Sequence, residues 1–258
     1  MQTFIIANWK MQKNETESVE LAQEIVRLWS AQGASQPKVH VVVCPSHVAL
    51  SGVNDVVRGT SVALGAQDVF WEERGAFTGE ISPVTLKELG CDYCIVGHSE
   101  RRQYLGETDE MVSKKVDALL AAGINPIICV GETREERDAG RRDAVVIAQV
   151  QKAMEGTRPV GNQNIIVAYE PRWVIGSGQA VEPDDAASMH HLIRETLLEL
   201  LPQDVVENQL FVVYGGSVES ENIAAFFAVP VIEGALVGGA SLKPEEFVRL
   251  AEAAVDRS

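Results

Sequence analysis

A carboxylate stands at the end of a buried-looking apolar run. Ile165-Ile166-Val167-Ala168-Tyr169 leads into Glu170, and Pro171 follows at once. The β-branched run reads as a strand covered on both faces. Pro171 cannot donate to a sheet ladder and stops it. Glu170 is therefore expected at a strand's carboxyl end. Beside it lies a glycine-rich segment able to move over it, Pro171-Arg172-Trp173-Val174-Ile175-Gly176-Ser177-Gly178. A general base under a lid belongs in such a place. A lone strand-end Glu more often just faces solvent, so other groups must join it. His98 in Gly97-His98-Ser99-Glu100-Arg101 and Lys10 in Asn8-Trp9-Lys10 are the candidates. A carboxylate base, a histidine and a lysine make a coherent set for acid–base chemistry. Gly215-Gly216-Ser217 and Gly238-Gly239 add two turns whose backbone N–H groups can ring a phosphate.

Those residues must be brought together by strands and helices that alternate throughout. Strands are expected at 4–7, 39–44, 62–66, 92–96, 125–130, 165–170, 210–214 and 234–237. Helices are expected at 15–28, 45–57, 82–89, 107–122, 134–154, 184–201, 219–228 and 244–254. Strands alternating with helices imply a parallel sheet with helices outside. Eight such units fit a closed (β/α)8 barrel, with one domain over residues 1–258. An open doubly wound sheet is the alternative, but no G-x-G-x-x-G follows the first strand. In a barrel the active site forms at the carboxyl ends of the strands, and phosphate commonly binds after strands seven and eight. Each candidate residue above falls at such an end, as do Gln67-Asp68 and Gly131-Glu132.

Composition narrows the partners. The chain is 46% hydrophobic and 23% charged, an ordinary globular balance able to fill a large core. Its net charge of -15 argues against nucleic acid, which needs a basic face. An anionic ligand can still bind through backbone N–H groups. No secretory leader is expected, since a short strand-like run follows Met1 at once. No apolar run approaches the ~18 residues that span a membrane. Cys44, Cys91, Cys94 and Cys129 are too few for a disulfide scaffold. Cys91 and Cys94 match C-x-x-C, but residues three apart on a strand point to opposite faces, against a shared metal or redox role. The cytoplasm is the expected location.

Along its whole length the chain resembles the triosephosphate isomerase family. The likeness rests on Asn8-Trp9-Lys10, on Gly75-Ala76-Phe77-Thr78-Gly79-Glu80-Ile81-Ser82, and on Gly97-His98-Ser99-Glu100-Arg101-Arg102. It continues through Tyr169-Glu170-Pro171, Trp173, Ile175-Gly176, Tyr214-Gly215-Gly216-Ser217-Val218 and the run from Gly234 to Ser241. The resemblance implies interconversion of dihydroxyacetone phosphate and glyceraldehyde 3-phosphate, with no metal or organic cofactor. It makes Glu170 the base, His98 a neutral imidazole that polarises the carbonyl, and Lys10 the cation that stabilises the enediolate. Asn8 would contact substrate, and Glu100 would hold Lys10 by an ion pair. Gly176, Ser217, Gly238 and Gly239 would bind phosphate. It also implies a homodimer in which the loop bearing Phe77 and Thr78 inserts into the other subunit near Lys10. Trp71 and Phe77 on that loop are apolar and call for a partner's cover. The chain departs from the family's usual residues at Asp68 (often Asn), Val174 (often Ala), Ser177 (often Thr) and Gln179-Ala180-Val181 (often Lys-Thr-Ala). None of these removes a catalytic group. A barrel acting on a longer sugar phosphate would be expected to alter the lid. A non-catalytic phosphate-binding barrel would be expected to lose Glu170, His98 or Lys10.

Overall fold

The structure is a computed structural model that describes residues 2–32, 38–157, 159, 161–174 and 180–255. Chain order runs β1 (Thr3–Asn8), α1 (Glu15–Ser30), β2 (Val39–Cys44), α2 (Leu50–Val57), β3 (Val62–Ala66), α3 (Pro83–Glu88) and β4 (Tyr93–Val96). It continues with α4 (Ser99–Tyr104), α5 (Asp109–Ala121), β5 (Asn125–Val130), α6 (Arg134–Asp138), α7 (Arg142–Ala153) and β6 (Ile165–Tyr169). The last part comprises α8 (Pro183–Leu200), α9 (Gln203–Gln209), β7 (Leu210–Tyr214), α10 (Ile223–Phe227), β8 (Gly234–Val237) and α11 (Pro244–Val255). The eight strands pair in sequence order, and β8 closes on β1. The closed parallel barrel expected from the alternating pattern is the fold.

Strand periodicity divides the core in two. On β1, Phe4 and Ile6 point into the barrel while Ile5 and Ala7 face the helices. The interior is filled, with Ile95, Ile127, Ile166, Phe211, Val213 and Leu236 among its side chains. Phe4 packs its ring 4.7 Å from Phe211 and stacks 4.6 Å from His40. Closure beside Phe4 needs a residue without a side chain. Gly234 has φ 153°, and a Cβ there would sit 2.0 Å from the Phe4 carbonyl oxygen. The outer cluster joins the other strand faces to the apolar stripes of the helices.

Helix boundaries differ from the expected ones where side-chain bonds override the apolar period. The expected helix 134–154 breaks into α6 and α7 at Gly140, whose φ is 68°. Thr133 caps α6 through a reciprocal bond pair with Glu136. The expected helix 219–228 starts only at Ile223, because the Asn222 side chain accepts the Glu219 N–H in a turn. The expected helix 45–57 is a 3-10 turn, His47–Ala49, followed by α2. Helices α4 and α9 have no counterpart among the expected elements. Helix α4 reads Ser-Glu-Arg-Arg-Gln-Tyr and carries no apolar period.

Charged bonds hold α4. Lys115 is almost completely buried, and its Nζ donates to Asp68 Oδ1 and Glu107 Oε1, each at 2.7 Å. Arg101 of α4 reaches the same two carboxylates at 2.7 and 2.9 Å. Two cations and two anions thus form a closed ring under the β4 end. Arg102 donates to the Gly97 carbonyl at 2.7 Å and pairs with Asp109. Burial pushes the Asp68 carboxyl up, against the pull of Lys115 and Arg101. Removing one partner of such a ring leaves an uncompensated buried charge, which costs about 3–5 kcal/mol. Lys115→Met should lower unfolding free energy by about that amount in urea titration. A loss below about 1 kcal/mol would show that the ring contributes little.

Candidate active site

Asn8, Lys10, His98, Glu170, Ser217, Gly238 and Gly239 line one cavity of about 500 Å³ at the carboxyl ends of the strands. Residues up to 231 positions apart in the chain become neighbours because eight strands end on one rim. Gly176 and the lid residues Ile175, Ser177 and Gly178 lie outside the described residues.

Glu170 follows β6 directly, and its N–H still donates to the Val130 carbonyl at 2.7 Å. Its side chain is 2% exposed. Glu170 Oε2 accepts the Ser99 N–H at 2.9 Å, and Oε1 lies 3.1 Å from His98 Nε2. His98 is the N-cap of α4, and its Nδ1 accepts the Glu100 N–H at 3.3 Å. A nitrogen that accepts from a backbone amide carries no proton, so the ring proton sits on Nε2. His98 therefore donates toward Glu170. The helix start that expresses no apolar period is the element that sets this tautomer.

Lys10 has φ 51°, the sole positive value outside glycine among the described residues. Such a backbone persists only when its surroundings enforce it. Gln67 Nε2 donates to the Lys10 carbonyl at 2.8 Å and to the Cys44 carbonyl at 2.9 Å. Asn8 Oδ1 accepts the Lys10 N–H at 3.1 Å. The ammonium is thereby turned into the cavity, 2.6 Å from Glu100 Oε1. Glu100 also stands 3.7 Å from His98 Nδ1, so it touches both groups.

Gly131 is the residue whose purpose the sequence hid. Gly131 is not in a left-handed conformation, so its backbone does not call for glycine. A Cβ on it would lie 1.8 Å from the Glu170 carbonyl oxygen. At Gly215 a Cβ would lie 2.8 Å from Glu170 Cγ, and at Gly216 one would lie 2.1 Å from Tyr214 Oη. Gly131 and Gly215 let neighbouring strand ends close on Glu170. The next residue, Glu132, is fully buried and accepts from Tyr169 Oη at 3.2 Å and Trp173 Nε1 at 2.9 Å. Burial, with Glu132 beside it, pushes the Tyr169 hydroxyl well above its ordinary value, so it stays a donor. Cys129 also neighbours Glu170, and burial pushes its thiol up, which makes it a packing group. All four cysteines are free and buried. Lys243, Glu219, Glu221 and Glu246 complete the cavity wall and had no motif to mark them.

Ser217 Oγ donates to the Val174 carbonyl at 3.4 Å, which joins the β7 turn to the start of the lid. Gly238 places its missing side chain 3.6 Å from Lys10 Cε, and nothing lies within 4 Å of that position at Gly239. The glycine turns and the ammonium therefore bound one continuous space.

A filled parallel barrel with a carboxylate, an imidazole and an ammonium converging in one cavity at its strand ends has the build of a barrel enzyme suited to acid–base chemistry. Comparison with known proteins gives the particular family. The sequence model described as "Triosephosphate isomerase" matches residues 3–254. The chain is 51% identical over 251 residues to the triosephosphate isomerase of Roseiflexus sp. (strain RS-1), covering 97% of each chain. It is 49% identical to that of Roseiflexus castenholzii, again over 97% of each. For Caldanaerobacter subterraneus subsp. tengcongensis the identity is 46%, over 95% of this chain and 97% of the relative. The chain belongs to the triosephosphate isomerase family.

Gly131 yields a direct test of the site. Gly131→Ala should keep the far-UV circular dichroism spectrum but displace the Glu170 backbone. A misplacement of ~1 Å costs roughly a hundredfold in rate, which steady-state kinetics would read as a fall in kcat. An unchanged kcat would mean that the contact does not position Glu170.

Proposed function

We propose that Glu170 moves the proton, His98 donates a hydrogen bond to the reacting oxygen and Lys10 stabilises the charge that develops there. Family membership gives the reaction, interconversion of dihydroxyacetone phosphate and D-glyceraldehyde 3-phosphate, a step of glycolysis and gluconeogenesis. The observation that carries the role assignment is the 3.1 Å approach of His98 Nε2 to Glu170 Oε1 in a cavity that Lys10 also lines. That hydrogen bond marks where substrate oxygen goes. When a carbonyl or hydroxyl oxygen replaces Oε1 on the Nε2–H, the carboxylate is freed to face the carbon-bound proton. His98 and Glu170 are both nearly out of water, so a donor fixed before the reaction acts in low dielectric. An enediolate oxygen between His98 Nε2 and Lys10 Nζ is met by a donor and by a full positive charge.

Phosphate binding is assigned to Ser217, Gly238 and Gly239, and to Gly176 outside the described residues. Backbone N–H groups hold a dianion without cationic side chains, which suits a chain of net charge -15. Asn8 is assigned to substrate contact and Glu100 to holding Lys10. The substrate carries its own phosphate handle, and the residues in these roles use no cofactor.

The same reading makes the protein a homodimer. Met11 is 93% exposed, Phe77 43% and Tyr104 72%, and Leu105 and Val48 are also open. Large apolar side chains left open need a cover, and a second copy is the proposed one. The Phe77 ring lies tilted against Phe70, 4.6 Å away, at the root of its loop, with Thr78 exposed beside it. Trp71 was expected to need a partner as well. It is instead half-buried within the chain, 4.0 Å from Phe70 and under Lys114 Nζ at 5.2 Å. No described helix is long and apolar enough to cross a membrane. The proposed location is the cytoplasm.

Two measurements test these assignments. Sedimentation equilibrium at micromolar concentration should give twice the 28.0 kDa chain mass. A fully active monomer would overturn the dimer. Glu170→Asp keeps the charge and withdraws it by one methylene. Its kcat should fall roughly a hundredfold, about 2.7 kcal/mol of barrier, with KM nearly unchanged. A near-normal kcat would remove Glu170 from the role of base.

A further inference from the structure

Arg137 does not line the cavity, yet it reaches Trp173, three residues after Glu170, and the buried carboxylate of Glu132. It lies on α6 with its guanidinium 4.6 Å from the centre of the Trp173 ring. Its Nη2 donates to Asp185 Oδ2 at 2.7 Å, at the first turn of α8. Its Nη1 is buried, without a hydrogen-bond partner among the described residues, and stands 3.6 Å from Glu132 Oε1. Arg142 shares Asp185 at 2.7 Å, which fixes the carboxylate that fixes Arg137.

Glu132 gives this arrangement its consequence. It holds the chain on both sides of the base. Tyr169, the residue before Glu170, donates its hydroxyl to the Glu132 carboxylate. After Glu170, the Arg172 N–H donates to the Glu132 carbonyl at 3.1 Å, and the Trp173 indole donates to its carboxylate. A carboxylate with no exposure is costly to leave without a cation beside it. Arg137 is the cation the structure pairs with Glu132. Its planar fork meets Glu132, Asp185 and the indole face together, which the single ammonium of lysine cannot do.

We propose that Arg137 is a positioning residue for the isomerisation: it holds Glu132 and the Trp173 indole so that residues 169–173 present Glu170 at the reacting carbon. This rests on the reading of Glu170 as the base. Without Arg137, Glu132 loses its counter-charge, its hold on Trp173 loosens, and the base is misplaced. The phosphate-binding turns after β7 and β8 are untouched. The loss should therefore fall on proton transfer and spare ground-state binding.

Arg134 supplies an internal control. Its guanidinium lies 5.8 Å from the same ring, but it pairs with exposed Asp138 and not with Glu132. The experiment compares Arg137→Met, Arg137→Lys and Arg134→Met in the full-length protein. It measures kcat, KM, thermal midpoint and the kinetic isotope effect on glyceraldehyde 3-phosphate deuterated at the carbon that loses its proton. For Arg137→Met, kcat should fall about tenfold with KM within about twofold, and the isotope effect should rise. Arg137→Lys keeps a charge near Glu132 and should show the same split, to a smaller degree. Arg134→Met should stay within about twofold of the parent. Should Arg137→Met fail to fold, the same split in Arg137→Lys carries the test. A kcat within twofold of the parent in the folded variants would overturn the proposal. So would a fall in thermal midpoint with no change in isotope effect, or equal losses at 134 and 137. A near-normal kcat in Glu170→Asp would instead defeat the reading of Glu170 itself.

Discussion

A carboxylate held almost out of water has to be held by donors, and the positions of those donors shape much of this protein. Glu170 sits between the Ser99 N–H and His98 Nε2, both at the start of α4. That helix start must therefore be rigid. Its own sequence offers no apolar stripe to pack, so rigidity comes from charge: Arg101 in the ring with Asp68, Glu107 and Lys115, and Arg102 on Gly97 and Cys129. Isolated surface ion pairs would contribute little to such an anchor. A closed, buried set of alternating charges contributes geometry, because each member is costly to leave unpaired.

The same logic governs the other flank of Glu170. Gly131 brings β5 close enough that no side chain fits, and Glu132 then gathers Tyr169, Arg172 and Trp173 around the turn that follows Glu170. One side of Glu170 is set by donors it bonds directly. The other is set by a neighbouring carboxylate that bonds the chain around it. Lys10 completes the site under a third constraint. Its left-handed backbone is held by Gln67 and Asn8, so its ammonium faces the cavity without a long search through rotamers. In all three cases the side chain is aimed by bonds within the chain itself, without any ligand.

An acidic chain that handles a dianion faces an electrostatic conflict. The cavity resolves it locally. Lys10 and Lys243 line it together with glycine turns, whose amides carry positive partial charge. Glu219, Glu221 and Glu246 stand on the same wall, and Glu246 is held by the Ser220 N–H and hydroxyl. Those bonds keep its pKa below the usual carboxylate value and tie it to the β7 turn. Net charge thus says little about which ligand a pocket takes, since fields inside a cleft are set by the nearest groups.

Much of the fold was legible in the chain itself. Period-two and period-3.6 patterns are local properties, and eight alternations leave little choice beyond a closed parallel barrel. Residues at strand ends could be named for the same reason: a buried apolar run has a readable end, and Glu170, His98 and Lys10 each follow one. Boundaries failed where side-chain bonds replaced hydrophobic periodicity, as at Asn222 and along α4. The sequence by itself determined which groups reach the rim of the barrel and what chemistry they can do together. Only the tertiary structure decided how they are aimed. The tautomer of His98 depends on an amide two residues on, the need for glycine at 131 depends on a strand 39 positions away, and the stacking of Arg137 on Trp173 joins helices to a turn. Distances between residues far apart in the chain are set by packing, and packing leaves no periodic trace in the sequence.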